Sequence, residues 1–317
     1  MMSDDAMTGS GPVASRHRID DEALTAWLER QVPGFRGPLT IEQFKGGQSN
    51  PTYKLITPTR SYVMRAKPGP AAKLLPSAHA IEREYRVLWQ QSLPGMTPEE
   101  RSRTYDEMNR VISALHQVDY EAIGLADYGK PGNYFGRQIG RWSKQYLASE
   151  TDPIPEMNRL IDWLPAHIPD GDETSIVHGD FRLDNLIFAR DEPKVIAVLD
   201  WELSTLGHPL ADFSYHCMGY HIPPEQFRGI AGLDLQSLGI PSEEAYKARY
   251  CQRTGRSGID NWDFYLAYNC FRLAAILQGI MKRVVDGTAA SAEAAQAGSR
   301  ARPLAELAWK FAQRLGA

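Results

Sequence analysis

Cysteine is scarce in this chain, three residues in 317. Cys217, Cys251 and Cys270 stand too far apart to form a zinc-binding spacing, and so few cysteines cannot build a disulfide scaffold. They read as small buried apolar side chains in a reducing compartment. Long apolar runs are missing as well. The best stretch, YLAYNCFRLAAILQGIM, contains Asn269 and Arg272 and is too short and too polar to cross a bilayer. No basic block offers a footprint for nucleic acid, and the formal net charge is −4. The first twenty residues lack the apolar core of a secretion signal. The expectation is therefore a cytoplasmic protein with no membrane or nucleic-acid partner. Residues 1–19, rich in Ser, Gly and Asp, read as a disordered tail.

What is present is a change of periodicity along the chain. Asp20 or Asp21 caps a helix running to about Gln31, with Ala23, Leu24, Trp27 and Leu28 on one face. Three short strands follow, Leu39 to Phe44, Thr52 to Thr57 and Ser61 to Ala66, joined by the turns KGGQSN and TPTR. A helical pattern returns in SAHAIEREYRVL, with Ser77 as its cap. From Thr97 the chain is mostly helical, opening on a Thr cap, a Pro at the first helical position and Glu100 three residues after the cap. Further helical patterns cover 133–150, 155–168, 259–285 and 300–315. Amid them SIVHGD, NLIFAR and KVIAVLD are brief apolar runs, the last two a hairpin around DEP. The plan is α+β: a small antiparallel-sheet lobe, 20–91, then a larger helical lobe, 92–317, with a hairpin at its heart.

That hairpin carries the chemistry. In VHGDFRLDNLIF, Asp180 and Asn185 lie five apart on a loop that follows a strand, and Asp200 ends the second hairpin strand. A loop carboxylate is able to accept the proton of an attacking hydroxyl. An amide carbonyl and a second carboxylate offer the hard oxygens that Mg²⁺ takes when it bridges nucleotide phosphates. Each residue alone has a plain reading as a cap or turn residue; the combination at this spacing is far more specific.

HGD with Asn five residues on, followed by VLDWELSTLGHPLADFSYH, resembles the aminoglycoside phosphotransferase family of protein-kinase-like small-molecule kinases. Within it, the wording is similar to the subgroup resembling the kinase-like domain of certain acyl-CoA dehydrogenases. The resemblance covers roughly residues 20–317. It implies a bilobal kinase fold and transfer of the ATP γ-phosphoryl group to a small-molecule hydroxyl, with a hydroxyacyl-CoA or hydroxy acid as a candidate acceptor. It implies that Asp180 is the catalytic base and that Asn185 and Asp200 hold Mg²⁺. Arg182 matches the place of a cation near the transferred phosphate, or else pairs with Asp184. His178 and Asp212 are expected to brace the loop. His208, His216 and His221 are expected to serve the core or the surface separately. In the first lobe the resemblance assigns the nucleotide phosphates to Gly46, Gly47, Ser49 and Asn50, and to Arg65 or Lys67 on the third strand. Glu84, with Glu82 close by, is its partner for that cation.

Two other classes compete. A nucleotide-binding pseudokinase or scaffold would keep the fold without turnover. A metal-dependent phosphoesterase using His178 and Asp180 would need more ligands than the sequence offers. Antibiotic aminoglycosides, which are polycations, suit a dense acidic surface, whereas DLQSLGIPSEEAYKARY is mixed in charge. One irregularity stands out. Between a helix ending near Leu88 and the helix starting near Thr97 lie only WQQSLPGM, eight residues reaching ~26–29 Å when extended. Two strands of ~5–6 residues and an adenine-binding hinge do not fit there. Either the lobe is cut down or a segment has been lost near 88–92; SLPGMTPEE, which reads as the family's segment just after the hinge, favours a loss.

Overall fold

The computed structural model describes residues 10–13, 19–31, 35–44, 52–58, 61–65, 91–189, 192–227, 229–288 and 294–317. Its contacts divide the chain into two units, Met1–Tyr85 and Arg86–Ala317.

In the first unit, α1 (Asp21–Gln31) starts where Asp20 accepts the Ala23 N–H at 2.9 Å through Oδ1. Strands β2 (Thr40–Phe44), β3 (Thr52–Ile56) and β4 (Ser61–Arg65) form an antiparallel sheet, as the alternating pattern predicts. Tyr53 and Leu55 alternate inward and pack with Leu28 and Phe35. Two readings need correcting. Ser10–Pro12, within the expected tail, is strand β1 at the edge of this sheet beside β2. Pro12 fits there because an edge strand tolerates the missing N–H. Trp27 is 52% exposed, because the buried stripe of α1 runs through Leu24 and Leu28 and leaves Trp27 on its flank.

In the second unit, α2 (Pro98–His116) opens with the capping box read from the sequence. The Glu100 N–H donates to Thr97 Oγ1 at 3.2 Å, and the Thr97 N–H to Glu100 Oε2 at 2.7 Å. Then come α3 (Tyr134–Ser149), α4 (Pro155–Ala166) and four short strands: β5 (Ser175–Val177), β6 (Leu186–Phe188), β7 (Val195–Val198) and β8 (Thr205–Gly207). β6 and β7 are the expected hairpin; β8, not foreseen, pairs antiparallel with β5. The chain continues through α5 (Pro209–Cys217), α6 (Pro224–Phe227), α7 (Leu235–Leu238), α8 (Glu243–Thr254), α9 (Trp262–Val285), α10 (Ala294–Gly298) and α11 (Ala301–Arg314).

The apolar stretch that is too polar for a bilayer is α9, the spine of this unit. Residues 264–272 of it are buried on every side, the pattern of a helix enclosed by others. Asn269 Nδ2 donates there to Ala211 O at 2.9 Å and to Ser214 Oγ at 2.8 Å, which ties α9 to α5. On α11, Ala301, Leu304, Ala305, Ala308, Phe311 and Ala312 make a stripe of mostly small residues that lets it lie close on α9. All three cysteines are buried and free. Among the described residues no helix is long and apolar enough to cross a membrane.

Candidate functional site

β5 ends at Val177 and β6 begins at Leu186, so His178 to Asn185 form a loop closed by a single 3₁₀ turn, Leu183–Asn185. Gly179 sits there at φ +82°, and a Cβ on it would lie 2.7 Å from Leu203 O and 3.0 Å from Leu203 Cβ. Only glycine meets both conditions. The backbone of the loop is held from α5. Asp212, in the first turn of that helix, accepts the His178 N–H through Oδ2 at 2.8 Å and the Gly179 N–H through Oδ1 at 2.9 Å. Behind it, His116 Nε2 of α2 lies 3.2 Å from Oδ2, and both side chains are almost fully enclosed. Burial works to raise the Asp212 pKa; the hydrogen bonds from His116 and from the His178 amide outweigh that and hold it below the ordinary value.

His178 is a brace, as expected. Its Nε2 lies 2.8 Å from Leu199 O, which is only an acceptor, so the proton is on Nε2. That leaves Nδ1 bare, and it accepts the Asp180 N–H at 3.2 Å. One neutral imidazole therefore ties the loop to the residue preceding Asp200.

The carboxylate of Asp180 is closely surrounded. Tyr215 donates to its Oδ1 at 2.5 Å, and Asn185 Nδ2 donates to its Oδ2 at 3.1 Å and to its backbone O at 2.8 Å. Arg182 Nε is 3.2 Å from Oδ2 but makes no aligned hydrogen bond, and its Nη1 is 3.7 Å from Asp184 Oδ2. With its side chain 40% exposed, Arg182 stands among three carboxylates. Burial works to lower its pKa, the negative field of the Asp180, Asp184 and Asp200 carboxylates opposes that, and the net shift is upward. The expected alternative of a pairing with Asp184 describes one side of this placement, and the Asp180 carboxylate lies on the other.

Asp200 lies two residues beyond β7 with φ +65° and ψ +54°, a left-handed conformation that Asp adopts more readily than most residues and that is common at functional sites. The Leu199 N–H donates to Asn185 O at 2.8 Å, so the hairpin end and the loop are stitched together. Nδ2 of Asn185 is committed to Asp180, so its Oδ1 and the Asp200 carboxylate are the hard oxygens that these two residues would offer a cation. No group of three His, Cys, Asp or Glu suited to a metal occurs among the described residues. An oxygen donor set this small fits Mg²⁺, which keeps waters and shares phosphate oxygens.

His208, His216 and His221 go separate ways. His208 Nδ1 caps α5 by accepting the Leu210 N–H, His216 Nε2 meets Tyr246 Oη at 2.7 Å, and His221 Nε2 meets Glu243 Oε1 at 2.9 Å. Burial pushes His208 and His216 down to about 4. Gly46, Gly47, Ser49, Asn50, Lys67 and Glu84 lie outside the described residues, as do Glu82 and residues 89 and 90 of the short connection. Arg65 is the last residue of β4, opposite Thr52. Sequence reasoning missed Tyr215, Arg272 and His116. Tyr215 stands three residues after Asp212, one turn along the same helix face, a spacing that would have found it.

The phosphotransferase enzyme family model, APH, matches residues 84–246, which include the whole of this loop and Asp200. Mouse acyl-CoA dehydrogenase family member 10 is 43% identical over 96% of the chain and 32% of its own length. The chain spans about a third to under half the length of the curated relatives it matches. That pairing runs over 346 positions, 29 more than the chain has residues, so at least that many have no residue here. A solved protein of Ralstonia eutropha, described provisionally as an aminoglycoside phosphotransferase, is 59% identical with a TM-score of 0.86, over 94% of this chain and 99% of that one. Spectinomycin phosphotransferase, solved with ADP and spectinomycin, shares the fold at a TM-score of 0.55 and 12% identity, over 93% of this chain and 99% of that one. With its kinase-like fold, its catalytic-loop motif and these matches, the chain belongs to the phosphotransferase enzyme family.

Proposed function

We propose that the chain is a small-molecule kinase that moves the γ-phosphoryl group of ATP, with Mg²⁺, to the hydroxyl of a hydroxyacyl-CoA or hydroxy acid. The observation that carries this is the Asp180 carboxylate, held by Tyr215 and Asn185 beside the one amide oxygen and the one hairpin-end carboxylate suited to Mg²⁺. In this reading Asp180 accepts the proton of the attacking hydroxyl, and Arg182 steadies charge on the transferring group. Asn185 and Asp200 would hold the ion, which when bound neutralises phosphate charge. Gly46, Gly47, Ser49 and Asn50, with Arg65 or Lys67 and its partner Glu84, would hold the nucleotide phosphates. The acceptor class draws support from the acyl-CoA dehydrogenase relative.

The test is ADP formation from MgATP in the presence of hydroxyacyl-CoA thioesters and hydroxy acids. Asp180→Asn should lower turnover by about 10²–10⁴-fold while Mg-nucleotide binding persists. Turnover near that of the parent chain would refute the role of Asp180. Nucleotide binding without any ADP formation would mark the chain as a nucleotide-binding scaffold instead.

A further inference from the structure

We infer that Tyr215, held in place by Arg272, is a positioning residue for Asp180 and fixes which oxygen of its carboxylate is open to the acceptor. The inference rests on the kinase reading above. An ionised carboxylate has about four positions at which it accepts hydrogen bonds, two on each oxygen. Asn185 takes one on Oδ2, and Arg182 Nε at 3.2 Å shadows the other. Tyr215 takes one on Oδ1 at 2.5 Å. One position on Oδ1 remains, so the acceptor hydroxyl has a single direction of approach. Burial, and after it the charge of Asp180, raise the pKa of the phenol, which keeps Tyr215 a donor.

Arg272 holds the phenol from the other side. It projects from the enclosed part of α9, is 8% exposed and makes no ion pair among the described residues. A buried guanidinium without a carboxylate partner is unfavourable unless other groups take up its donors and charge. Here Nη2 donates to Gly179 O at 2.7 Å, and the guanidinium carbon lies 5.2 Å from the centre of the Tyr215 ring and 5.9 Å from that of Trp142. One side chain thus holds both the peptide that precedes Asp180 and the ring that touches its carboxylate. α5 completes the arrangement. Asp212 grips the loop backbone, and one turn later Tyr215 grips the loop side chain.

A ring that only filled space would be replaced by phenylalanine without effect, which gives the test. In the full chain, ADP formation from MgATP is followed with 3-hydroxybutyryl-CoA and, separately, with water as acceptor. Tyr215→Phe should lower kcat by about 10- to 100-fold, the effect of losing a hydrogen bond to a charged group. The KM for ATP should stay within about twofold, since the nucleotide contacts are elsewhere. Arg272→Lys keeps the charge but not the planar fork and should fall between the parent and Tyr215→Phe. A parent-like kcat in Tyr215→Phe overturns the inference and leaves the kinase reading intact. A loss carried by KM for ATP overturns it too, because that marks general loosening. If the unmodified chain forms no ADP with either acceptor, the kinase reading fails and the inference with it.

Discussion

Replacing Asp212 by Asn tests the structural argument most directly, because shape is kept and only charge and acceptor number change. The carboxylate accepts two backbone N–H groups, from His178 at 2.8 Å and Gly179 at 2.9 Å, one on each oxygen. An amide has one oxygen. Whichever way it turns, one of those buried N–H groups faces an NH₂ donor and is orphaned. Leaving a buried donor unpaired costs about 1–3 kcal/mol, and loss of charge from the surviving bond adds about 1 kcal/mol, so a total near 2–4 kcal/mol is expected. For a domain of this size that corresponds to a fall in Tm of about 5–15 °C in the transition of the second unit.

The pH dependence supplies a sharper check. Asp212 has a folded-state pKa below its ordinary value. Its contribution is therefore fully present above the unfolded value, about 4, and is lost as pH falls through the folded value. The amide of the Asp212→Asn variant cannot titrate, so the gap in stability between parent and variant should be widest near neutral pH and narrow as pH falls below about 4. Urea unfolding monitored by tryptophan fluorescence at several pH values would measure both. A gap below about 0.5 kcal/mol at pH 7, or one that does not narrow in acid, would refute the account of the brace.

Three further outcomes follow from the same geometry. Asp200→Ala should weaken the dependence of turnover on Mg²⁺ concentration, whereas an unchanged Mg²⁺ titration would make Asp200 structural. Gly179→Ala should unfold at lower temperature and lose turnover, because its Cβ would fall 2.7 Å from Leu203 O at a φ of +82°; a parent-like Tm would contradict this. If the hinge that reads adenine is missing near residues 88–92, ATP and GTP should bind within about threefold of each other by calorimetry. A tenfold preference for ATP would show that adenine is read by other means.

Local chemistry made much of this molecule legible. The capping box of Thr97 and Glu100, the Asp20 cap and the β6–β7 hairpin each follow from residues close in sequence, and each forms where the pattern places it. The misreadings share the opposite character. β8 is three residues long, too short to show alternation, and exists because β5 lies beside it. β1 lies in a stretch of tail-like composition and exists because β2 offers an edge. Trp27 sits on the flank of its helix stripe, and only the packing of the sheet decides which side it falls.

The site divides along the same line. Asp180, Asn185 and the brace His178 lie within eight residues, and Asp212 is only about thirty further on, so the motif spells out the backbone of the loop. What surrounds the carboxylate is supplied from far away. His116 reaches Asp212 across 96 residues, and Arg272 reaches the Gly179 carbonyl across 93. Neither residue looks functional in its own segment: His116 ends a helix, and Arg272 interrupts an apolar run. Their roles appear only when α2, α5 and α9 pack together, which is a property of the folded unit and of no single stretch. A chain that kept every letter of the loop motif but carried an apolar residue at 272 would still form the turn at Gly179. It would lose the clamp on Tyr215, and with it the single open position on Asp180.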